Sequence, residues 1–369
     1  MRSRPFQIGL APLKRRDFPR LNNLGGTLCA VHHECGGRTD EGRASRGPFL
    51  CSAHKQWAGL MAMADRLIVN CNPTAKALPF HAGLATGIFE RRGIALELVS
   101  TNSSRAQRDG IANGDFQIVH VAIDNAVSMR DDDGVDVVAV MGGDPGMNEL
   151  IVTPDIQKIE DIKGGRLFVD APDTAFALQA YRIYADHGLI RDRDYEVVAV
   201  GRGELRVQAL KENPRHSSAV LNVPYSLETK AMGLRSLGDT TDFIGPYQAG
   251  SAFGLRAWFA SHQELTIRYI AAYIECLSFV LDPANQALCA KICTSKLKID
   301  PSLADEAVRL LRVPKYGLDP IAAMDRTAVE NTLQLRKFFD PQSRCGQPED
   351  YYDLSYHAAA LKLLKQASA

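Results

Sequence analysis

The sequence predicts an α/β protein of two lobes with a mostly helical C-terminal part. Three observations carry that expectation. From Asp65 short β-rich runs alternate with helical stretches, the alternation restarts at Gly165, and from about Ile270 the pattern is mostly helical. Strands alternating with helices imply βαβ units and a parallel sheet covered on both faces. The composition agrees: 369 residues, 46% hydrophobic and 23% charged, suit a globular chain of two domains or lobes plus extras.

The elements follow in order. Arg66–Cys71 (RLIVNC) is a predicted strand, Ala77–Arg92 a helix ending before Gly93, and Ala95–Val99 a second strand. Arg105–Asn113 is a short helix stopped by Gly114, Phe116–Val121 a third strand, Asp124–Asp131 a helix and Val135–Met141 a fourth strand. The second series has strands at Gly165–Asp170, Tyr195–Val200 and Ser218–Leu221, with helices at Ala175–His187 and Leu205–Asn213. The C-terminal helical part breaks near Asp282-Pro283, Asp300-Pro301 and Asp340-Pro341, as proline requires. No internal repeat of solenoid length is visible.

Charge and cysteine usage exclude several classes. Lys plus Arg and Asp plus Glu are equal at 43 each, without the basic excess of a nucleic-acid partner. No apolar run reaches the roughly 18 residues of a membrane span. The balance hides an asymmetry: residues 1–60 hold ten Lys/Arg against four acids, and the main boundary is placed just before Met61 and Met63. Eight cysteines spread over a chain this long do not form a disulfide framework. Cys289 and Cys293, one helical turn apart, are expected to be buried on one helix face.

The first sixty residues form a separate expectation. Arg15-Arg16-Asp17-Phe18 resembles the start of a twin-arginine signal, but LNNLGGTLCAVHHECGG is too polar for its apolar region. Cys35 and Cys51-Ser-Ala-His54 resemble part of a Rieske iron–sulfur segment, in which two Cys and two His hold the cluster. Gly37 stands where the first His belongs, and His33 lies on the wrong side. A cluster with three ligands would be labile. A zinc site from Cys29, His32, Cys35, Cys51 and His54 is no better supported. The segment therefore reads as a poorly ordered vestige, a fusion remnant or an over-long start ahead of Met61 or Met63, with no metal and no cofactor.

Three pieces of the body, in order and spacing, carry a family likeness. They are HAGLATGIFERRGIALELV, then IANGDF, then IQKIEDIKGG. From about Asp65 to Asp340 the chain resembles ABC-transporter solute-binding proteins of the nitrate/sulfonate/taurine and thiamine-precursor type, with the type II periplasmic-binding-protein fold. The resemblance implies residues 65–151 plus 245–369 as lobe one and 152–244 as lobe two. It implies hinge candidates at Leu150–Pro154 and Phe243–Pro246, and a ligand trapped between the lobes by hinge motion. Its implied partners are a small anionic or aromatic solute and a membrane ABC permease, with the receptor a monomer in the periplasm. The absence of a credible signal keeps a cytoplasmic location as the alternative.

Candidate ligand residues fall on loops at strand carboxyl ends, where such folds bind. Asn72 and Thr74 offer hydrogen bonds and Lys76 a charge; Thr74 as a helix cap is the plainer reading. Ser103 and Ser104 open a helix whose free N–H groups suit an anion, or simply cap it. Asp124 and Asn125 read a donor or cap the next helix. Asp144, in the Gly142–Gly146 turn, pairs a cationic group or only makes the turn. Asp173 and Thr174 stand between a strand and an apolar helix, where the resemblance places a ligand contact. Asn222 and Tyr225 follow another strand, and Tyr225 offers a ring for stacking or packs at the lobe edge. Trp258 and Tyr247 join from the returning segment.

Catalytic patterns are missing. Gly201-Arg-Gly203 lacks the third glycine of a dinucleotide fingerprint, and the Gly142 turn lacks the Lys-Ser/Thr of a P-loop. No Gly-x-Ser-x-Gly or His-Glu-x-x-His occurs. His81, His120 and His187 are scattered singletons. The expected function is a solute receptor without catalysis. The alternative is a cytoplasmic enzyme on the same fold, a decarboxylase or pyrimidine-type synthase acting on an aromatic or heterocyclic acid; a sensor domain is a third class.

Overall fold

The computed structural model describes residues 64–367. The expectations for residues 1–60 lie outside them. Among the described residues ten strands form two five-stranded sheets. They are β1 (Asp65–Cys71), β2 (Ile94–Val99), β3 (Ile118–Val121), β4 (Val137–Met141), β5 (Glu149–Val152), β6 (Gly165–Val169), β7 (Tyr195–Ala199), β8 (Ser217–Leu221), β9 (Arg235–Asp239) and β10 (Ser251–Leu255). The first sheet has the order β2-β1-β3-β10-β4 and the second β7-β6-β8-β5-β9.

Both sheets are mixed, where the alternation of strands and helices implied a parallel sheet; the two-lobed α/β class stands. β1 pairs parallel with β2 and β3, but β10 runs antiparallel to β3 and β4. β6 pairs parallel with β7 and β8, but β5 runs antiparallel to β8 and β9. The cause is the path of the chain. It crosses from the first sheet to the second between β4 and β5, and returns between β9 and β10. The strand that arrives after each crossing enters against its neighbours. The expected hinge run Leu150–Pro154 is therefore mostly β5, inside the second sheet; the crossings are 142–148 and 240–250.

The helices are α1 (Leu78–Thr86), α2 (Ile88–Arg91), α3 (Ser104–Asn113), α4 (Ile123–Asp131), α5 (Ala175–Asp186), α6 (Gly203–Glu212), α7 (Tyr225–Ala231) and α8 (Thr241–Ile244). The C-terminal part adds α9 (Arg256–Ser261), α10 (Gln263–Leu281), α11 (Gln286–Lys296), α12 (Pro301–Leu311), α13 (Arg326–Phe339) and α14 (Ser355–Ala367). The single helix predicted over 77–92 is broken at Gly87, whose φ of +72° is left-handed. Asp300 starts α12 by accepting from Ser302 N, with Pro301 in the first turn, where its missing N–H costs nothing.

Alternation places the core. In the second sheet Leu167, Val169, Leu150, Val152 and Val220 face α5, while Phe168, Ile151, Ala219 and Leu221 face α6. In the first, Leu67, Val69 and Ile118 pack with Phe80, Phe89, Tyr269 and Leu277, and Val119, Ala139 and Phe253 fill the other face with α4. Each such fully buried aliphatic side chain is worth about 1.5–3 kcal/mol, so both faces of both sheets are needed to hold the strands. Cys289 and Cys293 are both fully buried on α11, as expected. Among the described residues no helix is long and apolar enough to cross a membrane.

Candidate functional site

The carboxyl edges of the two sheets meet. The loop after β1 bonds to the loop after β8 through Ala75 N donating to Val223 O at 3.3 Å. The loop after β2 meets the loop after β7 through Arg202 Nη1 donating to Asn102 Oδ1 at 3.3 Å. β6 lies between β7 and β8 in its sheet, so the loop after β6 and the start of α5 stand opposite the β1 and β2 loops.

The start of α5 is open electrostatically. Thr174 occupies the N-cap but makes no side-chain cap bond. Its hydroxyl turns away, to Asp170 Oδ1 and to Ala171 O at 2.9 Å. Among the described residues no side chain accepts from the first-turn N–H groups of α5, at the positive end of a 12-residue helix. Asp173 is exposed beside them. Asn222 is buried, 8% exposed, and its backbone carbonyl accepts from Ser226 N at 3.0 Å. Tyr225 packs edge-on to Gly203, where any Cβ would meet its ring. Burial, aided by Glu204 and Glu228, pushes its phenol up to about 12.

Across from α5, Asn72 is exposed and Thr74 half-buried; among the described residues neither side chain has a hydrogen-bond partner, and Thr74 caps nothing. Ser103 is spent on capping, its Oγ accepting from Ala106 N at 3.1 Å, and Ser104 is the first residue of α3. Asn125 sits half-buried in the first turn of α4.

Three predicted charges are already compensated. Lys76 Nζ lies 2.6 Å from Asp144 Oδ1, with side chains 19% and 6% exposed. Neither is a free charge for a ligand; the pair ties the β1 loop to the first crossing. Asp124 pairs with Arg336 at 2.9 Å instead of reading a donor or capping α4. Asp144 O also accepts from Ala249 N at 3.1 Å and Gly250 N at 2.8 Å, joining the two crossings. Tyr247 is buried on the second crossing near Asp124 and Arg336. Trp258 does not join the site. It stacks on His262 with ring centroids 4.5 Å apart and lines a concavity of about 280 Å3 at the amino end of β1. An open concavity of about 530 Å3 likewise lies at the amino ends of β6 to β8, where Arg166 pairs with Glu196 at 3.2 Å and Arg193 with Asp194 at 2.6 Å.

Sequence reasoning missed Arg206, on α6 and 4% exposed. Its Nη1 donates to Val220 O at 2.6 Å, and its Cζ stands 4.4 Å from the ring of Phe176 in the first turn of α5. Burial lowers the guanidinium pKa, against the pull of Asp170. Read along the chain, GELRVQALKE looks like a solvated helix, and no local signal marks its arginine as buried.

His120, on β3, sits inside an aromatic cage: Nε2 lies 2.6 Å from Tyr269 Oη, and Phe80 and Tyr273 pack on the ring at 4.7 and 4.9 Å. Burial pushes its pKa down from 6.5 to about 3. The unfolded chain therefore takes up this proton at a higher pH than the folded one, so stability is full above 6.5 and falls as pH drops toward 3. Between pH 7 and 5 the loss from this group should be about 1–2 kcal/mol. Urea melts of the parent and His120→Gln at both pH values check it; equal losses in the two would assign the acid sensitivity elsewhere.

Two mixed α/β sheets, joined by two crossings, with their carboxyl edges facing, define a type II periplasmic-binding-protein fold. Residues 75–222 match the family model described as "ABC transporter, phosphonate, periplasmic substrate-binding protein", and the resemblance to ABC-transporter solute-binding proteins read from the sequence is thereby borne out. Solved structures agree on the fold. A Bordetella bronchiseptica protein is 19% identical, with TM-score 0.68 over 83% of this chain and 99% of that one. The periplasmic nitrate-binding protein of Synechocystis is 11% identical, with TM-score 0.67 over 82% and 89%. The periplasmic aliphatic sulphonate binding protein of Escherichia coli is 12% identical, with TM-score 0.62 over 80% and 91%. No curated protein matches the sequence.

Proposed function

We propose that the chain is the solute receptor of an ABC-type importer, closing on a small organic anion or an aromatic or heterocyclic acid without altering it. The observation that carries this reading is the uncapped start of α5, set where loops of both sheets meet. A helix N-terminus with unspent N–H groups favours an anion. Asn72, Thr74, Asp173, Thr174, Asn222 and Tyr225 would frame the ligand, with Ser103, Ser104 and Asn125 at the rim. Lys76, Asp144 and Asp124 would act through the crossings.

In this reading lobe one comprises residues 65–148 and the chain from about 245, and lobe two the segment between. The crossings act as the hinge. In this reading the receptor works in the periplasm, as a monomer that presents its solute to a membrane permease, and the family resemblance supports the importer role. The test is a thermal-shift screen of the full chain against sulfonates, phosphonates, nitrate, pyrimidines and aromatic mono- and dicarboxylates, with mass detection of turnover. A ligand at 100 times its dissociation constant should add about 2.7 kcal/mol of stability. Recovery of the bound compound unchanged supports a receptor; its conversion would establish the enzyme instead.

A further inference from the structure

We infer that Arg206 is the anion anchor of the cleft, receiving the oxyanion head of the solute together with the first-turn N–H groups of α5. This rests on the receptor reading above and goes beyond it by naming the recognising group and the ligand chemistry: a carboxylate, sulfonate or phosphonate head.

Arg206 carries an incompletely compensated charge. Arg206 is 4% exposed, yet among the described residues no carboxylate stands within ion-pair distance of it. Nη1 is satisfied by Val220 O at 2.6 Å. Among the described residues Nε is sealed in without an acceptor, and none accepts from Nη2. A buried cation held by one carbonyl and one aromatic face is costly unless something completes it.

Position says what completes it. Val220 lies near the carboxyl end of β8, and Phe176, over which the guanidinium sits at 4.4 Å, belongs to the uncapped first turn of α5. Two independent sources of positive potential thus converge on one place at the sheet edge that meets the β1 and β2 loops. Asp170 pulls on the guanidinium from a distance, but one of its carboxylate oxygens is engaged by the Thr174 hydroxyl. Arginine presents planar N–H donors that match an oxyanion better than lysine does. The competing account makes Arg206 a clamp between α6, β8 and Phe176, with no ligand involved.

Isothermal titration of the full chain with sulfate, methylphosphonate and benzoate, and with thymine as a neutral probe, separates these. Arg206→Met should bind the anion that the parent binds about 100-fold or more weakly. Arg206→Lys keeps a charge but loses the planar fork and should fall in between. Without ligand, Arg206→Met should melt no lower than the parent, because it removes an uncompensated buried charge. Unchanged anion affinity in either variant, with a lowered melting temperature, overturns the anchor and leaves the receptor reading standing. A parent that binds thymine but none of the anions overturns the anchor alone. A parent that binds no compound of this or the wider panel overturns both. Should Arg206→Met fail to fold, the Arg206→Lys affinity decides.

Discussion

Replacing Arg336 by methionine should cost the folded chain about 3–5 kcal/mol, the penalty for leaving a buried carboxylate without its partner. In melting temperature that is a fall on the order of 10 °C for a chain of this size. Arg336 is 12% exposed and Asp124 6%, and they meet at 2.9 Å. Burial alone would lower the guanidinium pKa, but the charges of Asp124 and Asp132 more than offset it and hold it above its ordinary value. Asp132, the second partner at 2.6 Å, is 46% exposed and can be hydrated when released; Asp124 cannot. The double variant Asp124→Asn with Arg336→Met should therefore recover at least half of the loss. Urea melts of the parent, both single variants and the double variant give the coupling directly. A single-variant cost below about 1 kcal/mol would mean that Asp124 finds water or another donor, since that is the range of exposed pairs.

The consequence reaches past stability, because α13 touches both halves of the molecule. It packs on α4 beside the first sheet and on α5 beside the second. Leu335 joins the core of the second sheet and Val329 that of the first, and Phe339 meets Tyr181 of α5 edge-on at 5.4 Å. Asn331 Nδ2 donates to Pro246 O on the second crossing at 3.0 Å. Any opening between the sheets must carry α13 with one partner and slide it on the other. Arg336 decides which: it fastens α13 to α4.

How much of this was legible in the sequence depends on the range of the interactions. Seven of the ten strands were readable, because their apolar runs are bounded by helices with local stop signals such as Gly114 and Gly188. β5, β9 and β10 were not. ELIV, RSLGD and SAFGL are short, and two of them contain glycine; they are strands because partners from other parts of the chain pair with them. The site was legible as a set of loops and no further. Strand ends pointed to Thr74, Asp173, Thr174 and Asn222, but nothing local says that Lys76 is consumed by Asp144, 68 residues away, or Asp124 by Arg336, 212 residues away. Trp258 was misplaced for the same reason, since the edge of the sheet it covers is set by the antiparallel return of β10. Arg206 was overlooked because its burial comes from Phe176 and Val220, which only the fold brings to it.

Gly142→Ala should be the other severe substitution, at about 3 kcal/mol or more, the range of overpacking at a site that cannot relax. A Cβ there would collide with the carbonyl oxygen of Ala323 and come within 2.8 Å of Met324 N. Both are backbone, so no rotamer change relieves them. The facing loop is also pinned. Ala322 O accepts from Gly142 N at 2.9 Å, Asp319 N donates to Gly143 O at 2.8 Å, and Asp325 N donates to Gln248 Oε1 at 2.9 Å. Ala322 already sits at a φ of +53°, a conformation with no slack for a non-glycine residue. Gly114→Ala is the control: φ is +79°, but a Cβ there meets nothing within 4 Å. It should lose only the left-handed preference, about 1 kcal/mol. Because Gly142 opens the first crossing, its displacement passes to Asp144, which holds Lys76 and the second crossing. The same substitution should then weaken the response to whichever ligand stabilises the parent, while Gly114→Ala leaves that response intact. Comparable costs for the two glycines in urea melts would mean that the 319–325 loop yields, and that the crossing is softer than its hydrogen bonds imply.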